Sequence, residues 1–411
     1  MKNRAVIVNA VRTPVGKMRQ SLAGVPAMTL AAEVIKASIQ KAGIDPSKVD
    51  EVLFSNLMNN DNGSPARMAW LAADMPMEVP GATIERRCAS SLTALAFAAA
   101  LIESEHADIV MAGGVDSYSQ QPILVKRPEQ AYPSTLKILE VKRSPDNIGD
   151  VSMLQTAENL AEQYGISRAA CDEFACRSHK LAAAAWAERL FDEQIVPITI
   201  PQKKGAAKTV VMDDCVRPDC TVEALSKLKP VVKADGVVTA GNSSPMNDGA
   251  SAMLVMSAAR AEKECLEPLG TVTAFACAGY HPHYMGYGPV VATQKLMAQT
   301  GLSLKDFDLI EINEAFAAQS LACLKVLGLD NEADMARINV NGGAISIGHP
   351  NAASGGILVA RILHEMKRRN VKRGLVTFCI GGGQGMSLVV ERQVRGQRLQ
   401  GDVKHEKRAA E

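Results

Sequence analysis

Glu85-Arg-Arg-Cys88-Ala-Ser-Ser-Leu-Thr-Ala-Leu-Ala-Phe-Ala-Ala-Ala-Leu-Ile-Glu103 is the stretch from which the rest of the chain can be read. Between Ala89 and Ile102 it carries no charge, and alanine and leucine dominate. Small side chains on every face let other backbones approach, which predicts a helix buried all round. Cys88 stands at its first turn, where unpaired N–H groups and the positive end of the helix dipole favour a thiolate. Arg86 and Arg87 would act in the same sense if they face the thiol. Taken alone, Cys88 reads equally well as a small hydrophobe beside a core. Segments further along decide between the two.

Outward from this helix the chain alternates strand and helix. Ala5-Val-Ile-Val-Asn-Ala reads as a buried strand, followed by a turn at Arg12-Thr-Pro-Val-Gly16. Leu30 to Ala42 has helical spacing and stops at Gly43, and Val49 to Phe54 is a second strand. Asn62-Gly-Ser-Pro65 breaks the chain before a helix over 66–73, and Ala107-Asp-Ile-Val-Met-Ala-Gly-Gly114 is a strand ending in glycines. This is a parallel sheet covered by helices. From Tyr118 to Gly241 the rhythm breaks. That segment is polar and rich in proline and lysine, with helices expected over 151–165 and 168–187 and a short edge strand in Gln194–Pro201.

Past Gly241 the pattern resumes as a repeat. Leu304-Lys-Asp-Phe-Asp-Leu-Ile-Glu-Ile-Asn313 resembles Pro46-Ser-Lys-Val-Asp-Glu-Val-Leu-Phe-Ser-Asn56. Asn341-Gly-Gly-Ala-Ile-Ser-Ile-Gly-His349-Pro and the apolar helix after it take the place of Cys88 and its helix. Gly374-Leu-Val-Thr-Phe-Cys379 matches Asp108-Ile-Val-Met-Ala-Gly113. A duplication on this scale predicts two βαβαβ lobes packed face to face about a pseudo-twofold axis. The divisions are 1–117 for the first part of the N-terminal lobe, 118–241 for an inserted loop domain and 242–270 to complete that lobe. Residues 271–392 form the C-terminal lobe, and 393–411 a charged, solvated tail. Reacting groups in α/β folds gather where strands end and helices begin, and Cys88, Asn313, His349 and Cys379 all fall there.

Composition narrows the class. The 411 residues exceed one core, and 47% hydrophobic and 22% charged residues with net charge +1 describe a globular protein without a field for nucleic acid. The N-terminal apolar run is too short for a signal peptide and no stretch is long enough to span a bilayer, so a cytoplasmic protein is expected. Nine cysteines without a secretory signal argue against a disulfide framework. Cys171/Cys176 and Cys215/Cys220, with His179 nearby, lack the spacing of a zinc knuckle, so no metal is expected.

Cys88-Ala-Ser-Ser, Asn313-Glu-Ala-Phe-Ala, Gly348-His-Pro-Asn-Ala-Ala-Ser-Gly and Cys379-Ile-Gly-Gly-Gly occur in this order, with Gly241-Asn-Ser-Ser-Pro-Met-Asn-Asp-Gly-Ala between the first two. Together they make the chain resemble a thiolase over nearly its whole length. The resemblance implies a duplicated, five-layered α/β fold and reversible acyl transfer between CoA thioesters, with no permanently bound cofactor and CoA or acyl-CoA as substrate. It implies that Cys88 carries the acyl group, that His349 moves the Cys88 proton, and that Cys379 is the second acid/base. His349 Nε2 and a water on Asn313 would stabilise an enolate, and the N–H groups of Cys88 and Gly381 would hold the acyl oxyanion. By position, Arg217 would contact the nucleotide end of CoA, Met153 and Ser244 the pantetheine arm, and Ala315 and Phe316 the thioester pocket. A homodimer, or a tetramer of two dimers, is implied, with no nucleic acid or membrane partner.

The chain departs from the family pattern in places. Ser91 stands where glycine is usual, Asn351-Ala352 where Leu/Ile-Gly is usual, and Ser152 where short-chain biosynthetic members often carry histidine; Val232 replaces a frequent aromatic. A condensing enzyme of the ketoacyl synthase kind would need a second histidine where Cys379 stands. A thiol-binding or redox scaffold using the nine cysteines would not need His349 at all.

Overall fold

The apolar run of Ala5–Arg12 offers hydrophobic side chains to both faces of a strand, which only a sheet covered on both sides accepts. In the computed structural model this strand, β1, lies at the middle of a ten-stranded sheet. Residues 4–394 are described, except 60, 129–134, 136, 140 and 203; the tail expected beyond 392 lies, from 395 on, outside them. The other main strands are β2 (Glu51–Ser55), β3 (Gly81–Thr83), β4 (Ile109–Ser117), β5 (Asn247–Ser257), β6 (Gly270–Gly279), β7 (Leu309–Ile312), β8 (Arg373–Ile380) and β9 (Gln384–Glu391).

Across the sheet they run β3-β2-β4-β5-β1-β6-β9-β8-β7, and short Gly16–Lys17 pairs with β5. The order and sense are the same from either edge. β2 is parallel to β3 and β4, β4 is antiparallel to β5, and β5 to β1. Likewise β7 is parallel to β8, β8 antiparallel to β9, and β9 to β6. A parallel bridge from Ile310 to Ile338 stands where β3 flanks β2. The halves meet through an antiparallel seam of two pairs, Val6–Thr271 and Ile7–Gly270. A pseudo-twofold axis through that seam relates the two lobes.

The longer helices are α1 (Ala27–Ala42), α2 (Pro65–Ala72), α3 (Ser90–Glu103), α4 (Met153–Tyr164), α5 (Arg168–Ala187), α6 (Gly288–Thr300), α7 (Ala317–Leu327) and α8 (Ser354–Arg369). α1 and α2 bury Leu30, Ile35 and Trp70 against the outer face of the N-terminal half-sheet. α3 and α8 fill the space between the half-sheets with Leu92, Leu95, Ile357 and Val359. α4 to α7 cover the far side, where Phe174, Val290 and Leu324 meet Ile310 and Leu375. The result is helix, sheet, helix, sheet, helix.

α3 is central, as its composition predicts, but not enclosed on every side: Phe97 is 40% exposed and marks a narrow outward strip. Its contact with α8 is close enough that a Cβ on Gly355 would lie 2.3 Å from the backbone nitrogen of Leu92. Small residues here bring the starts of the two helices together. In the inserted segment, Ile198–Ile200 pairs with Lys208–Val210 as a two-stranded ribbon, while Ile195 just ahead of it bridges in parallel to Arg12 of β1. No helix among the described residues is long and apolar enough to cross a membrane.

Candidate active site

Cys88 sits on a 3-10 turn, Arg87–Ala89, immediately ahead of α3 rather than inside its first turn. Arg87 enters that turn with φ +46°, a left-handed conformation that costs a non-glycine residue about 1–2 kcal/mol. Its N–H donates to Glu85 Oε1 at 2.8 Å. The Arg86 guanidinium turns away to the Cys277 sulfur. Burial pushes the Cys88 thiol up to about 11, against the downward pull of the N–H groups of Gly381 and Cys88 itself and of the Arg87 guanidinium. The thiolate expected from the helix start is therefore not the resting form. Desolvation outweighs the dipole.

The turn packs against β8, whose penultimate residue is buried Cys379. Burial raises that thiol well above its ordinary value, the charge of Cys88 adds to the rise, and the Asn313 amide opposes it. Cys88 and Cys379 thus stand on elements packed against each other. Asn313 directly follows β7, with its N–H donated to Thr377 O at 3.0 Å, so adjacent parallel strands deliver Asn313 and Cys379 together. Its side-chain oxygen and nitrogen are fully buried and meet no hydrogen-bond partner among the described residues. Glu314, next in sequence, accepts from Ser178 at 2.7 Å and Asn339 at 2.7 Å and anchors the loop that leads to His349.

The His349 N–H donates to Asn247 Oδ1 at 2.9 Å. Its Nδ1 lies 2.6 Å from Ser354 Oγ, and its Nε2 is buried without a partner among the described residues. Burial lowers the imidazole to about 4, so it is neutral at physiological pH. The turn after it, Asn351–Ala353, packs on the Cys88 turn. Gly114 on β4 makes room, since a Cβ there would lie 2.2 Å from the Ala352 carbonyl oxygen. Asp116 Oδ2 accepts the Ala352 N–H at 2.7 Å.

Gly381, two residues past Cys379, has open space beside it: a Cβ would meet nothing closer than Arg87 Cγ at 3.7 Å, Arg87 Cβ at 3.9 Å and Met153 Cε at 4.0 Å. Ala315 and Phe316 are buried; Ala315 O accepts the Ser244 N–H at 3.0 Å, and Phe316 bridges to Ser243. Met246 bridges to His349, so the stretch 243–246 ties the Asn313 and His349 loops together. Among the described residues, Arg217 and Met153 line different clefts. Arg217 lines a cleft of about 390 Å³ with Lys17, His179, Gly241 and Ser243, whereas Met153 lines one of about 210 Å³ with Arg143, His283 and Gly382.

Residues 5–259 match the thiolase N-terminal domain, and residues 266–392 the thiolase C-terminal domain. The chain belongs to the thiolase family. It is 44% identical to an acetyl-CoA acetyltransferase of Cupriavidus necator, over 94% of this chain and 99% of that one. It is 43% identical to a beta-ketoadipyl-CoA thiolase of Pseudomonas putida, over 94% of this chain and 98% of that one. The crystal structure of Bacillus anthracis acetyl-CoA acetyltransferase superposes with TM-score 0.89 at 39% identity, covering 94% of this chain and 98% of the other. This thiolase is accordingly an acyltransferase.

Three residues of the thiolase site escaped the sequence reading as contacts. Ser354 lies on the His349 ring, Tyr118 beside Asn351, and Arg143 in the Met153 cleft. Ser354 could have been suspected from Ala-Ala-Ser-Gly following His349, whereas nothing local marks Tyr118 or Arg143. The spaced cysteines are structural: Cys176 donates to Cys220 O at 3.0 Å, and His179 accepts the Arg217 N–H at 3.2 Å. Among the described residues no group of three or more His, Cys, Asp or Glu side chains is arranged to hold a metal.

Proposed function

We propose that this thiolase interconverts two acetyl-CoA with acetoacetyl-CoA and CoA, or cleaves longer 3-ketoacyl-CoA with CoA, through an acyl group carried on Cys88. The observation that carries this reading is the packing of the Cys88 turn against both β8, which holds Cys379 beside Asn313, and the turn that follows His349, with the backbone N–H groups of Cys88 and Gly381 pulling the Cys88 thiol downward. An acyl carbonyl bonded to that sulfur would bring its oxygen within reach of both donors.

In the first step the Cys88 sulfur attacks the thioester carbonyl while its proton passes to His349 Nε2. The C–S bond to CoA breaks, and the departing CoA sulfur takes the proton of Cys379. Cys379, now a thiolate, removes an α-proton from a second acetyl-CoA. The enolate oxygen is met by the buried His349 Nε2–H and by a water held on the Asn313 amide. The enolate carbon then attacks the acyl-Cys88 carbonyl, the C–S bond to Cys88 breaks, and His349 returns the proton to Cys88. Every group ends as it began. Thiolysis is the reverse, with Cys379 deprotonating the incoming CoA.

A site this buried suits the hard step. Thioester α-protons are weakly acidic, and a low-dielectric pocket strengthens each donor aimed at the enolate oxygen. The raised Cys379 thiol is in turn a strong base once ionised. Arg217 and Lys17 in their cleft would take the phosphates of CoA, with Met153 and Ser244 along the pantetheine arm and Ala315 and Phe316 against the thioester. No metal or resident cofactor enters. Segment 118–241 would serve as the CoA-binding insertion over two lobes, 1–117 with 242–270, and 271–392. The enzyme would act in the cytoplasm as a homodimer or a tetramer of two dimers, for which edge strand β3 leaves Ala82 and Thr83 exposed.

The test is thiolysis of acetoacetyl-CoA by the purified chain in the presence of CoA, with the acyl adduct sought on Cys88 by intact mass after acetyl-CoA alone. No cleavage and no adduct would sink the reading.

A further inference from the structure

A side-chain amide stands against the Cys88 sulfur. The thiol donates toward Asn351 Oδ1 at 3.9 Å, and from the other end of that amide Nδ2 donates to the Tyr118 hydroxyl at 2.8 Å. Asn351 is buried and occupies a position where Leu or Ile is usual in the family. Its backbone is held on both sides. The Ala352 N–H is donated to Asp116 Oδ2 at 2.7 Å and the Ala353 N–H to Pro350 O at 2.8 Å, with Gly114 against the Ala352 carbonyl. The turn therefore fixes where the amide sits. Rotation about the bond to the amide group is broad and roughly two-fold, so either end can meet the sulfur.

The two ends suit different states of the nucleophile. With its oxygen toward Cys88, the amide accepts from a thiol, a weak donor whose bond is cheaply lost. Against a thiolate the same oxygen is repelled. A half-turn brings Nδ2–H to the sulfur, where a charge-assisted bond forms, and swings Oδ1 to Tyr118. A phenol hydroxyl can accept or donate, so Tyr118 accepts from Nδ2 before the turn and donates to Oδ1 after it. The amide keeps a partner at both ends throughout, and no proton changes hands.

Charges around the site do not substitute for this donor. Asp116 raises the Cys88 thiol and Arg87 lowers it. Asp116 is committed to the N–H groups of Leu57 and Met58, each at 2.8 Å, besides that of Ala352. Burial brings its carboxyl up to about 6, raises the Cys379 thiol and the Tyr118 phenol well above their ordinary values, and lowers His349 to about 4. None of these groups changes charge between pH 8 and pH 9.

We propose that Asn351 is a further catalytic residue, whose amide turns against the Tyr118 hydroxyl and donates from Nδ2 to the Cys88 thiolate. This rests on the thiolase reading above and deepens it. In that cycle the sulfur is charged twice: when its proton passes to His349, and when its C–S bond breaks as the enolate carbon attacks. The amide adds a side-chain donor to the N–H groups of Cys88 and Gly381 at both moments.

The test is the rate at which iodoacetamide alkylates Cys88 at pH 8, followed by mass spectrometry of the Cys88 peptide, in the wild type, Asn351→Leu and Asn351→Ala. Leucine fills the space of the amide and alanine opens it, and neither supplies a donor. Losing a hydrogen bond to a charged group should raise the thiol by about one pH unit and slow both variants about tenfold. The kcat for acetoacetyl-CoA cleavage should fall by a similar factor with KM little changed. Alkylation of Asn351→Ala at the wild-type rate or faster overturns the proposal, because access alone then governs the rate; an unchanged kcat overturns it equally. Should the alanine variant fail to fold, Asn351→Leu decides with reagents of two sizes. Equal slowing with iodoacetamide and the larger N-ethylmaleimide supports a lost donor, whereas greater slowing with the larger reagent, or none with either, refutes it. Alkylation does not require turnover, so a wild type that cleaves no acetoacetyl-CoA sinks the thiolase reading, while unaltered alkylation in an active enzyme sinks only this inference.

Discussion

His349 Nδ1 lies 2.6 Å from the hydroxyl oxygen of Ser354, while Nε2 of the same ring has no partner among the described residues. A hydroxyl can accept from Nδ1–H or donate to bare Nδ1, so it supports either neutral tautomer. The proposed cycle starts from the Nδ1–H tautomer, whose Nε2 takes the Cys88 proton; the imidazolium so formed then donates from Nε2 to the enolate oxygen, with Ser354 Oγ accepting from Nδ1–H throughout. A carboxylate or carbonyl at Nδ1 would favour one tautomer only.

Ser354→Ala should lower kcat by about tenfold, the effect of one lost hydrogen bond worth about 1–1.5 kcal/mol. Ser354→Thr keeps the hydroxyl and should recover most of the rate. Steady-state assays on both variants decide this; equal losses would assign Ser354 to packing alone.

Alkylation of Cys88 reports on its resting state. Its thiol is held up to about 11, so only about one part in ten thousand is thiolate at pH 7. The rate of modification by iodoacetamide should climb about tenfold per pH unit from pH 7 to pH 10. Levelling near pH 8 would mean an ordinary thiol. On the acid side, His349 becomes charged only near pH 4, so loss of activity from that group should not begin until the pH approaches that value.

Replacing the second thiol should separate the half-reactions. Cys379→Ser keeps the Cys88 nucleophile but supplies a poor base, so condensation should fall by about 10²–10⁴-fold. Acyl-Cys88 should still form from acetyl-CoA, more slowly, and should persist. Intact mass spectrometry after mixing with acetyl-CoA detects it, and the absence of any adduct would place Cys379 in acylation alone.

Glu311 tests stability rather than chemistry. It is buried on β7, 3.3 Å from Arg361, and burial raises its carboxyl to about 7 against the pull of that guanidinium. A folded pKa above the ordinary 4.5 means that ionisation opposes folding. The stabilising contribution is complete below pH 4.5 and is lost as pH rises through about 7. Glu311→Gln removes this titration, so its Tm relative to wild type should rise by a few degrees between pH 5 and pH 8. A constant difference across that range would refute the raised pKa.

Arg217→Ala should raise the KM for CoA about three- to tenfold with kcat little changed, because an exposed cation facing phosphates contributes modestly to binding. An equal loss in kcat would show that the Arg217 side chain does more than bind CoA, since its backbone N–H to His179 is kept in the variant.

Much of this protein is local and was legible in the chain. The charge-free helix after Cys88, the strand–helix rhythm and the repeat of Pro46–Asn56 in Leu304–Asn313 depend on periodicity and spacing, which neighbours in sequence impose directly. Those patterns carried the duplication, and with it the placing of Cys88, Asn313, His349 and Cys379 at strand and helix ends. Electrostatics and contacts across the fold were not legible. Whether Cys88 rests as thiol or thiolate depends on how much solvent the packed lobes exclude, a sum over residues hundreds of positions apart, and there desolvation overrules the helix start. In the same way, Tyr118 and Asn351 meet only because Gly114 admits the turn that follows His349; their hydrogen bond exists in three dimensions and leaves no periodic trace along the chain.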